Sequence, residues 1–126
     1  METAQTKDPV GLVAALILLS WLGELVHNAI ELPNLTPLSP ENSLPALISL
    51  LLFLGWWKQP RGRKAWGWLL FAWAGLHLVG GGILSVIPFA FLPFYPAQNL
   101  THYSAHVFYS LAQLPLLWVL WKQNKI

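Results

Sequence analysis

Six side chains of the kinds that ligate metals or pass protons, Glu24, His27, Glu31, His77, His102 and His106, lie in or beside stretches otherwise apolar enough to cross a bilayer. They include all four histidines and two of the five acidic residues. A charged acid or base at mid-helix costs about 2.5–3.5 kcal/mol on insertion scales, so this cluster carries the functional expectation. Imidazole and carboxylate suit Fe, Zn, Mn or Cu, and the absence of cysteine removes thiolate ligands, disulfides and cysteine nucleophiles. His102 and His106, spaced i, i+4, can grip one ion from a single helical face. Glu24-x-x-His27 has the spacing of carboxylate-bridged di-iron bundles, although those use two such motifs and further glutamates. The leading expectation is therefore a transition-metal site with redox or hydrolytic chemistry, supported by Tyr109, Asn28 and Gln113 around the ligands.

Other chemistries fit the same residues less fully. A haem needs two opposed imidazoles across a flat gap, for which His77, His106 and the run Gly80-Gly81-Gly82 are candidates, but Glu24 sits badly in an apolar porphyrin pocket. A proton or ion relay through Glu24, His77 and His106 lacks a matching polar stripe toward the inner half, where only Ser20 and Gln113 offer themselves. A metal-free lipid or isoprenoid enzyme would use Glu24 or Glu31 as acid and a histidine as base. A purely structural role, in an accessory subunit of a larger membrane complex, would use them as helix glue. Interhelical hydrogen bonds average only about 0.6 kcal/mol, which makes ionisable groups inefficient for that task.

Composition places the cluster in its setting. The chain has 126 residues, 56% hydrophobic and 10% charged, with eight tryptophans, which points to an integral, multi-pass membrane protein of the plasma or an inner membrane. At about 20 residues per crossing there is room for an all-α, four-helix transmembrane bundle as a single domain over 1–126. The net charge of +2 comes from basic residues at helix ends, where orientation explains them, so no nucleic-acid partner is expected. The expected partners are the lipid bilayer and, beyond it, a second copy or a larger membrane complex.

The helices are expected at about 9–32, 44–58, 65–87 and 99–121. Asp8-Pro9 opens the first after the polar leader 1–7, and Pro33 stops it. No A-x-A cleavage pattern follows its apolar run, so it reads as a retained helix. A loop over 34–42 leads to a short second helix of about 15 residues, capped by Asn42 or Ser43 with Pro45 in its first turn. Lys58 to Lys64 forms a basic turn, Pro88 ends the third helix, 89–98 is an apolar interfacial loop, and Pro115 should bend the fourth helix. Lys7, the Lys58–Lys64 turn, Lys122 and Lys125 fall on one side of a four-crossing topology, which makes both termini cytoplasmic. Trp56, Trp57, Trp66, Trp68, Trp118 and Trp121 collect on the same side as an aromatic belt.

Periodicity then orients the cluster. Ser20, Glu24, His27 and Glu31 make one stripe of the first helix, and His102, His106, Tyr109 and Gln113 make one stripe of the fourth. Such stripes must face each other or a wet cavity. Counting along the helices puts Glu24, His77 and His106 roughly 10–15 Å below the outer surface, and His27, Glu31 and His102 within about 8 Å of it. The glycine run is expected to make room beside His77, while the second helix, with Ser49 as its one interior polar residue, is expected to be a wall.

Overall fold

The computed structural model describes residues 8–126, and among them the chain forms four α-helices and no strand. The leader 1–7, with Lys7 and its share of the orientation argument, lies outside the described residues. Helix α1 spans Val10–Glu31, α2 Pro40–Lys58, α3 Arg63–Leu76 and α4 Leu100–Lys125.

Three boundaries differ from expectation for local reasons. Helix α2 begins at Pro40 and is 19 residues long. Proline lacks the N–H that a first helical residue leaves unbonded, so it starts the helix well. The Ser39 carbonyl accepts from the amides of Asn42 and Ser43, both at 2.9 Å, which draws the expected capping residues inside the helix. The third helix is not α throughout: after Leu76 it widens into a π segment, His77–Ile83, and finishes as a 3-10 turn, Leu84–Val86. Three consecutive glycines hold the α conformation weakly, and Pro88 has no N–H to return to a preceding carbonyl. Helix α4 runs on past 121 to Lys125 and is continuous through Pro115. At its start the Asn99 side chain caps it, accepting from the His102 amide at 2.9 Å.

The helices form a ring in chain order. Each of α1 to α4 packs on the next and α4 closes on α1, while α1 and α3, like α2 and α4, stand diagonally apart. The apolar core occupies the half nearer the chain ends and is built from Val13, Phe53, Trp56, Leu70, Leu116 and Leu120. At that end cations cover tryptophan rings: Lys58 on Trp57 at 3.6 Å, Arg63 on Trp56 at 4.3 Å, Lys122 on Trp118 at 4.6 Å and Lys125 on Trp121 at 4.0 Å.

The outside of the bundle is greasy, with Leu18, Leu22, Leu51, Leu69, Leu76, Val107, Leu111 and Trp118 all exposed. Two helical stretches, Val10–Glu31 and Pro60–Val86, are long and apolar enough to cross a membrane. The corresponding windows of α2 and α4 fall short of that measure. Helix α2 opens on the polar turn Pro40-Glu41-Asn42-Ser43, and α4 carries the His/Tyr/Gln stripe that makes it interesting.

Candidate functional site

Helices α1 and α4 run antiparallel, and their polar stripes meet in register. Ser20 bonds Gln113, His27 meets His106, and Glu31 meets His102, each step up α1 matched by a step back along α4. The close approach rests on Gly23, where even a methyl group would stand 2.5 Å from the Ala112 Cβ. Below the histidines, Gln113 is fully buried and also donates to the Ser20 carbonyl at 3.2 Å.

The centre of the stripe is a pair of imidazoles whose Nε2 atoms lie 3.0 Å apart, with ring centroids 4.4 Å apart and planes at 79°. Their tautomers follow from what holds the other nitrogens. Asn42 Nδ2 donates to the Thr36 carbonyl at 2.8 Å, so its Oδ1 must be the atom that accepts from Asn28 Nδ2 at 2.7 Å. Asn28 then presents its own Oδ1 to His27 Nδ1 at 3.0 Å, and an acceptor there requires the proton on Nδ1. On the other side His106 Nδ1 lies 3.2 Å from the Gly82 carbonyl, again an acceptor. With both Nδ1 atoms protonated in neutral rings, both Nε2 atoms carry lone pairs. Two lone pairs at 3.0 Å repel unless a cation lies between them.

The π segment supplies one of these supports. At the frayed end of the third helix, carbonyls lose their helical partners. Ser85 Oγ takes the Gly81 carbonyl, and His106 takes that of Gly82. Glycine at 82 also lets α4 come close, because a Cβ there would collide with Ser110. The glycine run, expected to open space beside His77, serves His106 and Tyr109 as well.

Beside the pair lies a group with unmet polar atoms. His102, 7% exposed, packs beside His106 with ring centroids 4.5 Å apart and planes tilted by 59°. Its Nδ1 is 2.7 Å from Glu31 Oε2, yet the two are not aligned for a hydrogen bond, and its Nε2 has no partner among the described residues. Buried polar atoms without partners are rare in proteins and commonly mark a water or an ion.

A third group lies across the bundle. Tyr109 OH and His77 Nδ1 are 2.8 Å apart, and Glu24 Oε2 stands 3.9 Å from the same nitrogen, beyond hydrogen-bond reach. These residues, with Trp73, Gly80 and Gly81, line a cavity of about 380 Å³ that also reaches His27 and Asn28. Trp73 is fixed by donating Nε1–H to Ser49 Oγ at 3.0 Å.

The six expected ligands are thus distributed over three neighbouring groups: His27 with His106, His102 with Glu31, and Glu24 with His77. Among the described residues no three His, Asp or Glu side chains are placed to hold one ion together. The expected sorting by depth, with His106 beside Glu24 and His77, is replaced by pairing of His106 with His27. Side chains lean toward the N-terminus of their helix, so in an antiparallel pair His27 leans one way along the axis and His106 the other, and they meet. Tyr109, expected among the residues around the ligands, bonds the imidazole of His77. The two imidazoles that a haem would use, His77 and His106, have Tyr109 and His27 as their partners.

Asn42 and the Gly82 carbonyl are the contributors that the sequence reading does not include. Asn42 is buried, and its carbonyl accepts Trp21 Nε1–H at 2.9 Å, so α2 joins the site as well as walling it. The available signal is an asparagine two residues after the helix-starting Pro40, a place where a side chain can turn inward. A backbone carbonyl freed by a glycine-weakened helix end has no signature of its own. No protein-family model, curated protein or solved structure matches this chain.

Proposed function

We propose that this protein is a four-crossing membrane bundle, both termini cytoplasmic, that binds a transition-metal ion between His27 and His106 in the outer half of the bilayer. The observation that carries the reading is the pair of Nε2 atoms 3.0 Å apart in edge-on rings, each ring fixed from behind by a hydrogen bond from Nδ1 to an oxygen acceptor. Metal-ligating histidines characteristically donate their other N–H to a carbonyl or carboxylate in this way. His102, whose Nε2 has no hydrogen-bond partner among the described residues, adjoins the pair beside Glu31, and a side-chain rotation of His102 would bring a third ligand to the ion. The four-crossing topology is supported by the up-and-down order of the helices, the apolar exterior and the Lys/Arg–Trp contacts gathered at one end. A bound metal would supply Lewis-acid activation of water or a redox centre at the outer face.

The test is elemental analysis of untagged protein purified in mild detergent without chelators, before and after incubation with Zn, Fe, Mn and Cu. About one equivalent should be found, and His27→Ala and His106→Ala should each abolish it. Absence of metal under every loading condition, or full occupancy in His106→Ala, overturns the assignment.

One observation favours a second reading. Two nitrogens bound to one tetrahedral zinc at 2.0–2.1 Å stand about 3.3–3.4 Å apart, and the present 3.0 Å is closer to a hydrogen bond. A single proton shared by His27 and His106 satisfies the same two lone pairs. Nitrogen-15 spectra of metal-free protein distinguish it, since a shared proton gives the Nε2 atoms an imidazolium-like shift while both Nδ1 protons persist.

A further inference from the structure

We propose that the cavity beside Glu24 is a binding site for a lipophilic organic cation, a small amine or quaternary ammonium carrying an aromatic or short alkyl group. The cavity, about 380 Å³, lies in the size range of small-ligand pockets. Its lining combines one carboxylate with aromatic and small residues: Glu24, Trp73, His77, Gly80, Gly81 and Tyr109. No lysine or arginine contributes to that lining. A carboxyl among apolar helices is neutral when protonated and, when ionised, favours a cation beside it; no lysine or arginine among the described residues is paired with this one. His77 Nδ1, its nearest basic neighbour, is 3.9 Å away and already paired with Tyr109 OH at 2.8 Å. No hydrogen-bond donor among the described residues reaches the Glu24 oxygens, and His77 Nδ1 at 3.9 Å is the one basic group beside them.

The walls suit the same class of ligand. Trp and Tyr rings attract cations through the negative face of their π systems, an effect that grows when water is excluded. Trp73 is held by Ser49, and the buried Tyr109 is held by His77, so both side chains are fixed before a ligand arrives. Gly80 and Gly81 keep the π segment free of side chains where it borders the cavity. A Cβ on Gly81 would stand 2.7 Å from Tyr109 OH. A strongly hydrated inorganic cation would find one carboxylate and few other oxygens here, whereas an alkylammonium needs the single charge and the apolar contact.

This site rests on Glu24 and the rings, and it stands whether or not His27 and His106 hold a metal. Because His27 also lines the cavity, a divalent ion on the histidine pair would oppose a second cation, and the measurement is made on chelator-dialysed protein. The probes are benzyltrimethylammonium and its uncharged carbon isostere, neopentylbenzene, titrated into full-length protein in detergent with tryptophan fluorescence and calorimetry as readouts. The cation should bind saturably and at least about tenfold more tightly than the isostere. Glu24→Gln should weaken the cation by about tenfold or more and leave the isostere unchanged, with far-UV circular dichroism establishing that the variant is folded. Equal affinity of the two probes for the wild-type protein, lack of saturable cation binding, or undiminished cation affinity in folded Glu24→Gln overturns the proposal. If Glu24→Gln does not fold, the comparison of probes on the wild-type protein decides.

Discussion

Replacing Asn42 by alanine tests the tautomer argument from outside the histidine pair. The substitution removes two hydrogen bonds, Asn42 Nδ2 to the Thr36 carbonyl at 2.8 Å and Asn28 Nδ2 to Asn42 Oδ1 at 2.7 Å. At a net worth of about 0.5–1.5 kcal/mol each, the loss of stability is about 1–3 kcal/mol. The consequence for the site is more specific. Without Asn42 nothing fixes which end of the Asn28 amide faces His27, so the Nδ1–H tautomer is no longer enforced. Loss of a hydrogen-bonded support behind a metal ligand costs about 10–100-fold in affinity, and a partner one step further back should sit at the lower end, about tenfold or about 1.4 kcal/mol. The assay is a competitive Zn titration against a chromophoric chelator, paired with nitrogen-15 imidazole spectra. His27 should show a mixture of tautomers, while His106, held by a backbone carbonyl, should not change. The reasoning is refuted if His27 keeps its Nδ1 proton and affinity stays within about twofold of the wild type.

The remaining predictions concern packing, the Tyr109 contact and topology. Gly23→Ala forces a methyl group against Ala112 and should cost about 1–3 kcal/mol in detergent melts, with weaker metal binding as α1 and α4 separate; adding Ala112→Gly should restore most of both, and lack of rescue would place the defect elsewhere. Tyr109→Phe leaves His77 Nδ1 without its 2.8 Å partner and should destabilise by about 1–2 kcal/mol, read by thermal unfolding, while sparing the Nε2 pair. Because the chain has no cysteine, single cysteines placed at Gln98 and Gln123 report sidedness cleanly. An impermeant thiol reagent applied to intact cells should label only the former, and labelling of both or of Gln123→Cys alone would discard the proposed orientation.

Much of the helical framework is legible in the chain because proline and basic residues punctuate it. Pro33, the Lys58–Lys64 turn and Pro88 each interrupt apolar runs in a way that local physics forces. The facing of α1 and α4 is also legible, since polar stripes at helical spacing must meet something polar. Which histidine meets which is not, because the outcome depends on opposite side-chain lean in antiparallel helices and on the Gly23–Ala112 approach. The widening of the third helix at His77 depends on whether the glycine run collapses or frays against α4. Asn42 escapes because its role depends on a carbonyl at Thr36 that only the folded loop brings near.

The tryptophans with cations over their rings have a consequence for where the histidines sit when the membrane changes. On the four-crossing topology they moor one end of the bundle to the inner headgroups, through contacts such as Lys58 on Trp57 and Lys125 on Trp121. The opposite end, where Phe91, Tyr95 and Leu100 lie exposed, has no lysine or arginine to hold it at a fixed height. A thicker bilayer therefore adds its extra hydrocarbon above His27 and His106, and a thinner one brings the outer water down toward them. On the proposed topology the distance from the inner surface would stay constant while access from outside varied, so lipid composition would control how readily an ion or solute reaches the proposed site.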